Sequence, residues 1–157
     1  MKIALYPGSF DPITKGHLDI LKAGAEIFDK VIIAVAHNPE KKGFLPVKDR
    51  LNLIEESIKD LNNVEIDSFE GLTIEYAKEK GAKVLIRGLR AVSDFEYEMQ
   101  LSQANSALCE SIKTVFLTTK PKYNFISSST IKEIYVNNGD ISKFVPEPVY
   151  KYLMKRK

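Results

Sequence analysis

Ile3-Ala4-Leu5-Tyr6-Pro7-Gly8-Ser9-Phe10-Asp11-Pro12-Ile13-Thr14-Lys15-Gly16-His17 is the stretch whose reading decides the fold. Its first residues are apolar strand formers, and the sequence predicts that the strand stops at Pro7-Gly8. A loop with a second Pro and a second Gly follows, and an apolar-periodic helix begins around His17. Strand, tight loop and helix together present backbone N–H groups and the positive end of a helix to an anion. His17 at the head of that helix adds a donor that can charge near neutral pH. The stretch reads as a site for the phosphates of a nucleotide.

The pattern repeats outward from there. Residues 2–6 are the predicted first strand, and 16–28 a helix with Leu18, Ile20, Leu21, Ala25 and Phe28 near one face. Val31 to Ala36 is apolar without alternation, as suits a strand covered on both faces of a parallel sheet. A helix over 47–61, a strand at 64–67 and a short helix over 72–80 ended by Gly81 come next. Val84-Leu85-Ile86 is the fourth strand, with Arg87-Gly88-Leu89-Arg90 directly after it. The longest helix spans 93–110, with Ser93 and Glu96 as a capping box. A fifth strand covers 114–117, a helix runs from the serines 127–129 to about Asn137, and a last helix covers about 146–156. Strands alternating with helices predict one doubly wound, Rossmann-like α/β domain over residues 1–157. It should hold five mainly parallel strands, with helices on both faces and the ligand off the carboxyl ends of the strands.

The polar residues gather where that rule asks. Segments 7–17, 37–44, 68–73, 87–90 and 118–129 hold both histidines, Arg87 and Arg90, Lys41-Lys42 and the serine triplet. Such a set is better explained by one site for several phosphates than by chance. Other chemistries find no motif. There is no Gly-x-x-x-x-Gly-Lys-Ser/Thr, no Gly-x-Gly-x-x-Gly, no nucleophile elbow and no Cys/His cluster for zinc. His37 and Asp11 read as incidental, Asp11 as a turn residue beside Pro12, with a carboxylate near a Mg²⁺ site as its alternative.

Thr14-Lys15-Gly16-His17 resembles the (His/Thr)-x-Gly-His signature of the nucleotidylyltransferase superfamily, and Ile126 to Lys132 resembles its carboxyl-terminal nucleotide-binding motif. Tyr6 to Pro12, Ile86 to Arg90 and Asp94 to Gln100 look like the bacterial phosphopantetheine adenylyltransferase family more narrowly. Thr14 stands where many superfamily members carry histidine, and threonine there is usual in the pantetheine branch. The resemblance implies transfer of an adenylyl group from ATP to 4′-phosphopantetheine, giving 3′-dephospho-coenzyme A and pyrophosphate by direct in-line attack. It implies His17 as transition-state stabiliser. It also implies ATP contacts at Ser9, Phe10, His17, Gly88, Leu89, Arg90, Glu98, Tyr123, Asn124, Phe125, Ile126, Ser127, Ser128 and Ser129. The acceptor would be held by Ser9, Lys41, Thr73 and Arg87. Lys42 could substitute for Lys41, Thr73 could equally be a capping threonine, and Glu98 an ordinary exposed helical glutamate. The triphosphate chemistry implies Mg²⁺ with no assignable protein ligand, and the resemblance implies a homohexamer, for which the long helix could serve as interface.

Composition sets the outer bounds. With 23 basic and 21 acidic residues in 157, net charge is +2, too small a field for a general nucleic-acid binder. Cys109 alone can form no internal disulfide. The N-terminal apolar run is too short for a signal sequence and no stretch could span a bilayer, so a cytoplasmic protein is expected. The competing readings are another small nucleotidylyltransferase, of nicotinamide mononucleotide adenylyltransferase or glycerol-3-phosphate cytidylyltransferase type, and a non-catalytic sensor of adenine nucleotide or coenzyme A.

Overall fold

Strand and helix alternate along most of the chain. They are β1 (Ile3–Gly8), α1 (Lys15–Ile27), β2 (Lys30–Ala36), α2 (Val47–Ser57), β3 (Val64–Phe69), α3 (Thr73–Glu79), β4 (Val84–Leu89), α4 (Val92–Leu108) and β5 (Lys113–Thr118). A 3-10 turn at Pro121–Tyr123, α5 (Ser128–Val136) and α6 (Glu147–Arg156) complete the order. The computed structural model describes residues 1–90 and 92–157, the side chains of Val92 and Ser93 excepted, so the capping box expected at Ser93 and Glu96 lies outside the described residues.

The five strands form one sheet in the order β3-β2-β1-β4-β5, and every pairing is parallel. Successive strand residues face opposite sides. Ala4, Tyr6, Val31, Ile33, Val35 and Ile86 join a core with Ile20 and Leu21 of α1, Leu53 and Ile54 of α2, Ile131 of α5 and Val149 and Leu153 of α6. Leu5, Ile32, Ala34 and Leu85 face the other way, onto Ile74, Tyr76 and Ala77 of α3 and onto Ile112. Both faces are therefore covered, which is why the central strands read as unbroken apolar runs.

The strands run further than the sequence predicts, and the difference makes the site. Pro7 and Gly8 do not end β1; they pair with Ala34 and Val35 of β2. On its other side β1 pairs with β4 only at Ala4–Val84 and Leu5–Leu85. Pro7, with no N–H to give, is tolerated because β1 has by then lost one of its two neighbours. Arg87, Gly88 and Leu89 are likewise part of β4, paired with Phe116, Leu117 and Thr118. The carboxyl halves of β1 and β4 thus diverge while each keeps its outer partner. A cleft opens between them, at the point where the strand order reverses.

Helix ends deviate for local reasons. α2 stops at Ser57 rather than 61, where the Ser57 hydroxyl donates back to the Leu53 carbonyl at 2.6 Å, a bond that competes with helix propagation. Gly81, at φ +72, follows the α3 cap at Lys80 as expected, and Asn138, at φ +63, supplies the left-handed residue after α5.

Candidate active site

The cleft between β1 and β4 holds about 290 Å³ and is lined by the β1 end from Tyr6 to Phe10, the first turn of α1, Arg87 to Arg90 without Leu89, and Ile126 to Ser129. Asp94 and Glu98 of α4 and Thr119 close it.

His17 is the third residue of α1, and a reciprocal cap fixes it. Thr14 Oγ1 accepts from the His17 N–H at 3.2 Å, and the Thr14 N–H donates to His17 Nδ1 at 3.0 Å. An accepting Nδ1 is unprotonated, so this hydrogen bond assigns the proton to Nε2. The Phe10 ring meets the imidazole edge to face at 5.0 Å. Burial, with the charges of Arg90 and Arg87 adding to it, depresses the His17 pKa to about 4. The sequence expectation of a histidine that charges near neutral pH is therefore wrong. His17 is a neutral Nε2–H donor.

Thr14 thus has a structural use as well as a place in the motif. The amide groups of α1 are less available than the sequence predicts, because the Lys15 N–H is taken by the Phe144 carbonyl and that of His17 by Thr14. The open helix end belongs to α5. Ser127 caps it by accepting from the Thr130 N–H at 3.1 Å, which leaves the Ser128 and Ser129 amides without intrahelical partners. Ser128 Oγ donates to the Pro12 carbonyl at 2.9 Å and pins this helix end to the loop after β1.

The two arginines are held by α4. Arg87 Nε and Nη2 form a fork onto the Glu98 carboxylate, each at 2.7 Å, and Nη1 donates to the Pro7 carbonyl at 3.2 Å across the gap between β1 and β4. Glu98 is 7% exposed; it is neither an exposed helical glutamate nor free to receive another partner on its own. Arg90 Nε donates to Asp94 at 2.9 Å and Nη1 to the Ile126 carbonyl at 2.8 Å. Asp94 is a partner the sequence does not announce, because Arg90 stands before the start of α4.

Of the residues the resemblance implies, the structure brings together Ser9, Phe10, His17, Gly88, Arg90, Glu98, Arg87, Ile126, Ser127, Ser128 and Ser129 in the cleft. Phe10 sits there at a left-handed φ of +44, its side chain 2% exposed. Its ring lies 3.0 Å from where a Cβ on Gly8 would stand, so a side chain there would require the ring to give way by a few tenths of an ångström. Leu89 and Asn124 instead line a shallow adjoining recess with Phe95, Thr118, Thr119 and Pro121. Tyr123 packs against the core, and Phe125 is exposed with its ring edge to face on Phe144. Lys41 and Lys42 are both exposed in the loop after β2, outside the cleft. Thr73 opens α3 behind Leu72 as cap and makes no capping bond, which removes the capping alternative.

Asp11 departs furthest from expectation. It is 4% exposed, accepts from the Phe44 and Leu45 amides at 2.7 and 2.8 Å, and pairs with Arg50 at 3.4 Å and Lys132 at 3.7 Å. It ties the loop after β1 to the segment before α2. Arg50, 6% exposed, adds bonds to the Leu45 and Ser9 carbonyls. Gly43 is glycine because a Cβ there would run into the Arg50 guanidinium and lie 2.8 Å from Asp11 Oδ2.

Among the described residues no three His, Cys, Asp or Glu side chains converge, and the two cleft carboxylates are engaged by Arg87 and Arg90.

A parallel sheet split at its switch point, with neutral donors, arginines and an open helix end around the split, is an arrangement suited to the phosphates of a nucleotide. Residues 5–134 match the family described as cytidylyltransferase-like. A crystallised Vibrio parahaemolyticus protein assigned as a nicotinate-nucleotide adenylyltransferase shares the fold, with a TM-score of 0.73 at 21% identity over 98% of this chain and 99% of that one. Phosphopantetheine adenylyltransferase of Alkaliphilus metalliredigens is 52% identical over 99% of both chains. That of Clostridium novyi is 50% identical over 99% of this chain and 97% of its own. The chain belongs to the phosphopantetheine adenylyltransferase family.

Proposed function

We propose that the chain joins ATP to 4′-phosphopantetheine, releasing pyrophosphate and forming 3′-dephospho-coenzyme A. A phosphate oxygen of the acceptor attacks the α-phosphorus of ATP, and the bond from that phosphorus to the β-phosphate bridging oxygen breaks in line. The acceptor oxygen is already ionised near pH 7, so no strong base is needed. The protein must hold two anions together and donate to charge that grows at the α-phosphate and the leaving group.

The observation that carries this reading is the capped, neutral His17, with its Nε2–H as donor, in one cleft with the open amide end of α5 and with Arg87 and Arg90. His17 Nε2 donates to the α-phosphate, and the Ser9 and Phe10 amides support it. Arg90 and the Ser127 to Ser129 end of α5 take the β- and γ-phosphates, while Gly88, Leu89 and the 123–126 segment surround the nucleoside. Arg87, with the Ser9 hydroxyl, meets the acceptor phosphate. Lys41 and Thr73 lie toward the carboxyl ends of β2 and β3 and belong to the acceptor side of the same proposal. Glu98 acts through Arg87. Mg²⁺ enters as MgATP, held by the substrate's own phosphates. A homohexamer in the cytoplasm is part of the reading, and no helix among the described residues is long and apolar enough to cross a membrane.

Pyrophosphate release from ATP, measured with 4′-phosphopantetheine, nicotinamide mononucleotide and glycerol 3-phosphate in parallel, tests it. Turnover is expected with 4′-phosphopantetheine. Activity confined to another acceptor, or nucleotide binding without turnover of any, would sink the proposal.

A further inference from the structure

Arg50 reaches the site without lining it. It sits near the start of α2, is 6% exposed, and has no place in the wall of the cleft. Its guanidinium spans three acceptors. Nε donates to the Leu45 carbonyl at 2.8 Å and lies 3.4 Å from Asp11 Oδ1, while Nη1 donates to the Ser9 carbonyl at 3.3 Å. Gly43 leaves the space that the guanidinium fills, since a Cβ there would overlap Nη2. The bonds to Leu45 and Asp11 join two loops. The bond to Ser9 acts on a peptide that borders the cleft.

A peptide group is planar, and in the trans form its carbonyl and its N–H point in opposite directions. The Ser9–Phe10 peptide is trans. With the Ser9 carbonyl drawn toward Arg50, the Phe10 N–H is turned the other way. Ser9 and Phe10 both line the cleft, and the Phe10 N–H makes no backbone hydrogen bond among the described residues. Phe10 has φ +44, a left-handed value that a bulky residue keeps only where its surroundings impose it. Its ring is wedged edge to face between Tyr6 at 5.2 Å and His17 at 5.0 Å. Arg50 holds the carbonyl before it, and Asp11, bonded to the Phe44 and Leu45 amides, anchors the chain after it.

We propose that Arg50 is a positioning residue for the reaction: by holding the Ser9 carbonyl it aims the Phe10 N–H at the α-phosphate of the bound nucleotide, beside His17. The assignment rests on the adenylyl-transfer reading and adds to it a side chain that touches neither substrate. The aim of a backbone donor is set by whatever holds its peptide. An amide fixed before the substrate arrives needs no reorganisation as charge grows on the phosphate. Arg50→Lys would keep a positive charge beside Asp11 but lose the planar fork that meets several acceptors at once.

Isotope labelling of the phenylalanine nitrogens reads the Phe10 amide directly by NMR in the full chain. MgATP without acceptor should move the wild-type Phe10 N–H downfield, as a new bond to phosphate does, and in Arg50→Lys that movement should be lost. ATP affinity by calorimetry should fall less than about tenfold, the range for one neutral hydrogen bond. With 4′-phosphopantetheine present, kcat should fall further, by roughly 10²-fold, the scale of a misplacement near the reacting atoms. Phe28→Leu, at the end of α1 remote from His17, lowers stability by loosening the core and should leave kcat unchanged. Where Arg50→Lys does not fold, Gly43→Ala, which crowds the guanidinium without removing it, is read in its place. A Phe10 response that persists in the variant, a kcat loss no larger than the loss of ATP affinity, or an equal kcat loss in Phe28→Leu would each overturn the assignment. Absence of any calorimetric or amide response to MgATP in the wild type would instead fail the nucleotide reading, and the assignment with it.

Discussion

At the scale of single residues, His17 illustrates how a motif letter acquires chemistry only in its setting. Thr14 fixes the ring through Nδ1, burial and two arginines keep it uncharged, and the Nε2 proton remains for the substrate. A neutral donor is suited to a site already rich in cations, because it adds a hydrogen bond without another charge to desolvate. His17→Ala should lower kcat by roughly 10²–10³, as loss of one transition-state donor does, with KM for ATP little moved; near-normal kcat would remove His17 from the reaction. The same residue shapes stability against pH. Its folded pKa of about 4 lies below the unfolded value of 6.5, so between those limits the unfolded chain binds more protons. Stability contributed in this way is intact above about pH 6.5 and declines as the pH falls toward 4. Urea denaturation should show that decline in the wild type and a shallower one in His17→Ala.

At the scale of elements, the site is an assembly of loops held by buried polar bonds. Asp11 is the main tie between the segments after β1 and β2, and two backbone amides, Arg50 and Lys132 converge on it. Asp11→Ala should cost about 3–5 kcal/mol, because it leaves Arg50 buried with its carboxylate partner gone. A loss of under about 1 kcal/mol in equilibrium denaturation would show that solvent reaches Arg50 freely. None of this tie was legible in the sequence. Asp11 beside Pro12 satisfies every local rule for a turn, and its partners lie 33 to 121 residues away. The order of strands and helices, by contrast, was legible, because apolar periodicity is local and both faces of the sheet demand it. Strand ends were not. Pro7, Gly8 and Gly88 have poor strand propensity, yet pairing with β2 and β5 carries them; propensity yields where a neighbour supplies the ladder. For the same reason the divergence of β1 from β4, which makes the cleft, could not be read from either strand alone. The residues around the cleft were mostly legible, because functional types had collected at strand ends. Their bonding was not: the Arg87–Glu98 fork exists only once β4 and α4 are side by side.

At the scale of the whole molecule, α4 has two tasks that meet on one helix. Asp94 and Glu98, four residues apart and so on one face, hold Arg90 and Arg87. Other positions leave apolar side chains in water: Phe95 is 45% exposed, Tyr97 63% and Leu108 55%. A helix that turns such residues outward beside its site-bearing face is suited to packing against further copies of the chain. On the proposed homohexamer, light scattering should give about 106 kDa, six times the 17.7 kDa of one chain. Replacing Phe95 and Tyr97 together by glutamate should disperse the assembly, since charge there would be buried without a partner. Because the same helix positions both arginines, dispersal should also lower kcat/KM. Circular dichroism and melting of the double variant would establish that each chain remains folded. A wild type that runs at the mass of one chain would remove the hexamer. A dispersed variant with undiminished kcat/KM would show that α4 holds Arg87 and Arg90 in place without help from its neighbours.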